Sequence, residues 1–105
     1  MTDDYLDDDG YPTEATLERI REWSALDCMG LLEFAKALLR SNCYSTVLAG
    51  TDHYGDPVLR VSTGGWSGNE QVIYAMQDNV TWWAMHWYSS RRGGHHEFLI
   101  REKKP

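Results

Sequence analysis

Two stretches of the sequence carry residue types suited to binding an anion. The first, residues 62–70, reads Ser-Thr-Gly-Gly-Trp-Ser-Gly-Asn-Glu, and a helical pattern follows it directly. Glycines let a backbone curl, and a helix N-terminus presents unpaired amide groups that attract negative charge. The stretch therefore predicts a tight corner that could hold an anion, and its candidate contacts are Gly65, Trp66, Ser67, Gly68 and Asn69.

The second stretch, residues 89–96, reads Ser-Ser-Arg-Arg-Gly-Gly-His-His. Guanidinium groups hold phosphate or carboxylate through two parallel hydrogen bonds, so the candidate contacts here are Ser90, Arg91, Arg92 and His95. The two stretches would form one anion site if the fold brings them together. Each is also typical of plain structure, namely a strand-to-helix corner plugged by Trp66 and a solvated hairpin loop.

Catalytic and metal-binding patterns are weak by comparison. The first stretch matches neither the phosphate-binding P-loop nor the dinucleotide fingerprint, and no nucleophile elbow is present. The adjacent His95 and His96 point to opposite faces of a strand, which disfavours a shared metal. We therefore expect no catalytic residue, metal or cofactor. The alternative is a small phosphate-cleaving hydrolase that uses His86, His95 or His96 with Arg91 or Arg92.

The charge is concentrated at the N-terminus. The chain has 105 residues, enough for one domain, and a net charge of −6. We predict a disordered acidic tail over residues 1–12 and a single domain over 13–105. The domain is close to electrical balance, which excludes a broadly basic nucleic-acid binder. Another alternative is an acidic decoy, in which the tail and acidic surface mimic nucleic acid and block a host DNA-binding protein. Local basic points remain at Arg91, Arg92, Arg101, Lys103 and Lys104.

The chain has the composition of a cytosolic protein. Its two cysteines, Cys28 and Cys43, fit neither a C-x-x-C motif nor a zinc pattern, so we expect reduced, buried thiols. The acidic start lacks the apolar core of a signal peptide, and no apolar run reaches the ~20 residues of a membrane span. We expect a cytoplasmic location, no membrane association, and a host protein or nucleic acid as partner.

Periodicity predicts the elements of the first two thirds of the chain. Helices are expected from Thr13 to about residue 24 and from about residue 28 to 41, with Thr13 and Asp27 as N-caps. Residues 44–50 and 58–63 predict a β-hairpin in which Leu48 meets the helices together with Val61 and either Val58 or Leu59. The S-x-x-E capping box at Ser67 predicts a third helix, which ends near residues 78–79 with Asn79 as a left-handed cap.

The remaining residues predict a second hairpin. Residues 80–89 have apolar side chains on both faces of a presumed strand, which is typical of a covered central strand. Trp83, Met85 and Trp87 would share one face, and residues 95–101 would form the returning strand. The expected fold is α+β, in the order helix–helix–β-hairpin–helix–β-hairpin, with an antiparallel sheet of about four strands packed against helices.

Residues 62–70, 83–87 and 89–95 resemble a family of small uncharacterised phage and prophage proteins over about the C-terminal half of the chain. The resemblance implies an accessory role in the bacterial cytoplasm during infection or lysogeny, and it supplies no catalytic residue. The function that we expect is a non-catalytic binding module for an anionic group on a nucleic acid, nucleotide or host protein. In the phage setting, such a module would modulate host machinery or defence.

Overall fold

The computed structural model describes residues 5–100, with only the backbone for Cys28. The helices are α1 (Glu14–Arg21), α2 (Cys28–Arg40), α3 (Ser67–Asp78) and α4 (Val80–His86), and the strands are β1 (Thr46–Thr51), β2 (Pro57–Ser62), β3 (Trp87–Arg91) and β4 (His95–Leu99). The predicted tail residues 1–4 and the basic residues Arg101, Lys103 and Lys104 lie outside the described residues.

The first two helices begin at the predicted caps. The Thr13 hydroxyl accepts the Thr16 amide at 3.2 Å, and the Asp27 carboxylate accepts the Gly30 amide at 3.0 Å. Each bond satisfies an amide that has no partner within its own helix. Both predicted N-caps are therefore confirmed.

The four strands form one antiparallel sheet in the order β1-β2-β4-β3. β1 pairs with β2 and β3 with β4, as the predicted hairpins require, and β4 pairs with β2 to join the hairpins. The helices pack on one face of this sheet. The other face carries exposed residues such as Leu48 and Arg60 together with the fully buried Val58, and we call it the open face. The predicted α+β class is confirmed.

Side chains alternate between the two faces of the sheet. Val47, Leu59, Val61 and Phe98 face the helices and belong to one buried cluster with residues of α1, α2, α3 and α4. Leu48 points to the open face and is 59% exposed, so its predicted contact with the helices is wrong. The register pairs Val47 with Val61, and a period of two then turns Leu48 outward.

Residues 80–86 form a helix, so the strand predicted over residues 80–89 is wrong for its first seven residues. Trp82 and His86 are four residues apart and both buried, whereas Met85 is exposed. That spacing is the period of a helix, and the ring of Trp82 packs 5.9 Å from that of Phe98. Burial of this tryptophan against β4 overrides the strand preference of valine, threonine and tryptophan.

The predicted end of α3 near residues 78–79 is confirmed, but the predicted capping interactions at its two ends need correction. The N-cap is Trp66, whose carbonyl accepts the amides of Asn69 and Glu70, and no side chain caps the helix. The predicted Ser67 capping box is therefore wrong, because Ser67 lies one residue inside the helix. Asn79 has a φ of −84° instead of a left-handed value. Its backbone N–H caps α3 by donating to the carbonyls of Ala75 and Met76. Asn79 also joins α3 directly to α4.

Residues 5–12, the described part of the predicted tail, make contacts with the helices. The Tyr5 carbonyl accepts the Thr16 hydroxyl at 2.8 Å, and the Tyr5 ring lies edge-on to Phe34 at 5.0 Å. Asp7 closes the loop by accepting the amide of Tyr11 at 2.9 Å. We call residues 5–12 the N-terminal loop. It is folded against α1 and α2.

Two further expectations concern the surface. Cys43 is exposed, which corrects its predicted burial. In the described range, no helix combines the length and apolar character needed to cross a bilayer.

Candidate functional site

The two predicted stretches meet where β2 and β4 lie side by side. The Thr63 amide donates to the Gly94 carbonyl at 3.0 Å, one residue beyond the last residue of β2. In the adjacent register pair, the Ser62 hydroxyl lies 2.7 Å from His95 Nδ1. Gly94, with a φ of +80°, allows this approach, because a Cβ there would overlap the Thr63 hydroxyl.

A row of polar side chains crosses the open face from this junction. The register aligns one residue from each strand, in the order Thr46, Ser62, His95 and Arg91. These residues border a depression of about 150 Å³ on the open face. The fold therefore places Arg91 and His95, two of the predicted contacts, in one concave site.

In the neighbouring row of side chains, the charges of Arg60 and Glu97 cancel each other. The Glu97 carboxylate accepts hydrogen bonds from Arg60 Nε at 2.8 Å and from the Ser89 hydroxyl at 2.6 Å. The Ser89 hydrogen bond is the largest cause of the lowered pKa of Glu97, and the charges of Arg60 and Arg91 lower it further. Glu97 stays ionised at neutral pH, and its charge is balanced by Arg60. The guanidinium of Arg91 then supplies the surplus positive charge of the depression.

The residues around Trp66 do not line the depression. The Trp66 ring packs 4.7 Å from Tyr11 and 5.5 Å from Tyr44, and it covers Gly68. The Ser67 hydroxyl bonds the Tyr11 hydroxyl at 2.9 Å. These contacts give Trp66 and its neighbours a structural role in holding the N-terminal loop.

Asn69 is buried and fully engaged inside the corner. Its side-chain amide donates to the Thr63 carbonyl at 2.9 Å and to the Asn42 side chain at 3.1 Å, and it accepts a bond from Asn42 at 2.8 Å. Gly65 is exposed, and the space around its Cβ position is open. Glu70 supplies negative charge in the first turn of α3. The chain itself thus complements this helix dipole.

Of the other residues of the second stretch, Arg92 and Ser90 do not line the depression, whereas His96 borders it. Arg92 is exposed at the hairpin tip and is not part of the lining. Ser90 bonds the Trp87 indole and His96 Nδ1, each at 2.7 Å. His96 and His95 therefore face opposite sides of β4, as predicted. Burial lowers the pKa of His96, while nearby Glu70 opposes that shift and His95 adds to it.

Besides His96, five polar lining residues were not among the predicted contacts. They are Thr46, Arg60, Ser62, Ser89 and Glu97, which reach the depression from all four strands. Each of these residues lies two positions along its strand from another residue that faces outward, or is paired with such a residue on the neighbouring strand. Alternation would have revealed them once the β2–β4 pairing was known, but that pairing joins positions more than 30 residues apart in sequence.

The contact between Ser62 and His95 is of a type that also occurs in enzymes. His95 accepts from or donates to Ser62 at Nδ1, which is the contact of a nucleophile with a general base. No described carboxylate hydrogen-bonds this imidazole to orient it. Within residues 5–100, no group of three or more ligating side chains is placed to hold a metal ion.

Comparisons with known proteins give no relative. No family model, curated protein or solved structure matches the chain significantly. The resemblance to phage proteins therefore stays a prediction.

Proposed function

We propose that the protein is a phage-type accessory binding module, and that the depression on the open sheet face holds an anionic group of a nucleic acid, nucleotide or host protein. The observation that carries this proposal is the junction of β2 with β4, which sets Ser62, His95 and Arg91 side by side. Arg91 contributes a guanidinium fork, and the hydrogen-bonded pair of Ser62 and His95 contributes a further hydrogen-bond donor. In a bacterial host, the bound group would belong to the machinery or defence system that the protein modulates.

Charge supports this location over the N-terminus of α3. The lining of the depression includes Arg60, Glu97 and Arg91, and these three side chains carry an excess of one positive charge. The α3 N-terminus already has Glu70 in its first turn, and its Ser67 hydroxyl is bonded to Tyr11. An added anion is therefore attracted to the depression by Arg91 and repelled at the N-terminus of α3 by Glu70.

The test compares two neighbouring arginines. Arg91→Ala removes the surplus charge of the depression and is expected to weaken anion binding about 10- to 100-fold, the range for losing a charged hydrogen bond. The matched control Arg92→Ala, at the exposed tip, is expected to change binding by less than about threefold. Binding is measured by titration with labelled nucleotides, phosphopeptides and single-stranded oligonucleotides at two salt concentrations. Equal binding by Arg91→Ala and the parent, or no binding of any anion, contradicts the proposal.

The same assays separate the alternatives. Turnover of a phosphate ester that disappears in His95→Ala would replace binding by hydrolysis, with Ser62 and His95 as the reacting pair. Binding to basic proteins, without binding to any anion, would favour the acidic decoy.

A further inference from the structure

We infer that the depression takes one compact anionic group, such as a terminal phosphate, and excludes a continuous nucleic-acid backbone. This inference rests on the proposed anion site and specifies its ligand class. It follows from how charge, space and donors are arranged along the open face.

Charge changes sign along the strands. Arg91 and His95 lie at the end of the open face where β2 finishes, and the turn at the other end of β2 carries Asp52 and Asp56. The five steps from Ser62 to Pro57 in a strand span about 17 Å. A nucleic-acid strand running along β2 would leave the cation and meet two carboxylates within that distance.

The acidic end lies on the same face as the cation. Burial raises the pKa of Tyr88 on β3, and the nearby charges of Asp52 and Glu97 raise it further, so Tyr88 lies close both to the β1–β2 turn and to the depression that Glu97 lines. Burial acts to raise the pKa of Asp52, but hydrogen bonds from the amides of Asp56 and Tyr54 lower it overall. Asp52 is therefore charged at neutral pH and repels any phosphate beyond the first one or two.

Space also limits the ligand. The depression holds about 150 Å³, well below the roughly 300–1,000 Å³ of ordinary small-molecule sites. Leu48 and the Arg60–Glu97 pair border it on the acidic side. A phosphate group fits this volume, and the nucleoside or peptide attached to it would lie outside, toward the hairpin tip.

The donors suit a phosphate that ends a chain. Arg91 can hold two oxygens of a phosphomonoester in its fork. If the Ser62 hydroxyl donates to His95 Nδ1, the hydrogen of the imidazole lies on Nε2 and is a further donor. A monoester offers three terminal oxygens and nearly two charges, whereas a backbone diester offers two oxygens and one charge.

The experiment uses the full chain and measures affinity for four probes by calorimetry or fluorescence titration. The probes are inorganic phosphate, a phosphoserine peptide, a nucleoside 5′-monophosphate, and thymidine oligonucleotides of two to ten residues with and without a 5′-phosphate. We expect removal of the 5′-phosphate to weaken binding at least about tenfold, and added length to change it less than about twofold. The peptide and nucleotide arms identify which source of terminal phosphate is preferred.

Two variants complete the test. Arg91→Ala should abolish the 5′-phosphate effect. Asp56→Asn, on the exposed acidic turn, should strengthen binding of the unphosphorylated decamer at low salt and leave phosphoserine binding unchanged. Affinity that grows with oligonucleotide length, ignores the 5′-phosphate and still needs Arg91 overturns this inference while keeping the anion site. Failure of every probe to bind overturns both.

Discussion

At the residue scale, His96 is a pH-sensitive part of the domain. It is half-buried between Ser90, Trp83 and Phe98, and burial lowers its pKa below the ordinary value of 6.5. The folded state therefore prefers the neutral ring. Below the unfolded pKa, the unfolded chain binds a proton more readily than the folded chain, so stability falls as pH decreases toward the folded pKa.

We predict that His96→Gln reduces the loss of stability between about pH 7.5 and about pH 5.5. Glutamine keeps a polar group near Ser90 and cannot take a charge in this range. The matched control is His53→Gln, because His53 is exposed. Urea unfolding at several pH values measures the effect. An unchanged pH slope in His96→Gln, or an equal change in His53→Gln, would show that other groups cause the dependence.

At the element scale, the corner between β2 and α3 depends on consecutive glycines with different surroundings. Gly64 and Gly65 both have positive φ, at 69° and 78°. A Cβ on Gly64 would overlap the carbonyl oxygen of Tyr44, whereas the space around Gly65 is open. Both positions disfavour other residues by backbone strain, and only Gly64 adds a collision with backbone.

We predict that Gly64→Ala destabilises the domain by about 2–4 kcal/mol and Gly65→Ala by about 1 kcal/mol. Chemical denaturation of both variants gives the two values directly. Equal losses would mean that the loop shifts freely away from Tyr44 and that the close approach does not hold the corner.

Local sequence signals predicted some elements of the fold, and contacts between residues distant in sequence determined the others. Caps at Thr13 and Asp27, and turns rich in glycine, are local signals, and they located α1, α2, the first hairpin and the turn of the second. The identity of residues 80–86 depended on whether Trp82 would be buried against β4, which is a contact distant in sequence. The candidate site divided in the same way. Arg91 and His95 were recognisable by type, but Ser62, Arg60 and Glu97 became partners only through the β2–β4 register.

At the scale of the whole molecule, the N-terminal loop is part of the domain. Tyr5 packs on Phe34, which also lies 5.3 Å from the ring of Trp23, and the Arg19 guanidinium stacks over this aromatic group. At its other end, Tyr11 packs on Trp66. The loop therefore ties the helical pair to the β2–α3 corner. These contacts were not predicted, because a run of aspartates is typical of a solvated, disordered segment.

We predict that deleting residues 1–10 lowers the free energy of unfolding by about 2–3 kcal/mol, since the partly buried Tyr5 and Leu6 are lost. The matched control, Asp8→Asn with Asp9→Asn, removes exposed charges and leaves both apolar side chains in place. It should change stability by less than about 1 kcal/mol. Thermal and urea unfolding measure both. A deletion as stable as the parent would restore the expectation of a free tail.

The position of β4 between β2 and β3 has a consequence for synthesis on the ribosome. β1 and β2 can pair early, but β3 has no place in the sheet until residues 95–99 have left the exit tunnel. During that interval, Phe98 is missing from the core and Trp82 has lost a principal neighbour. Until β4 is available, the aromatic side chains of α4 lack part of their packing surface in the nascent chain. Exposed apolar groups of this kind are recognised by chaperones. Ser62 likewise has no contact with His95 until β4 pairs with β2, so the candidate site forms only when the sheet is complete.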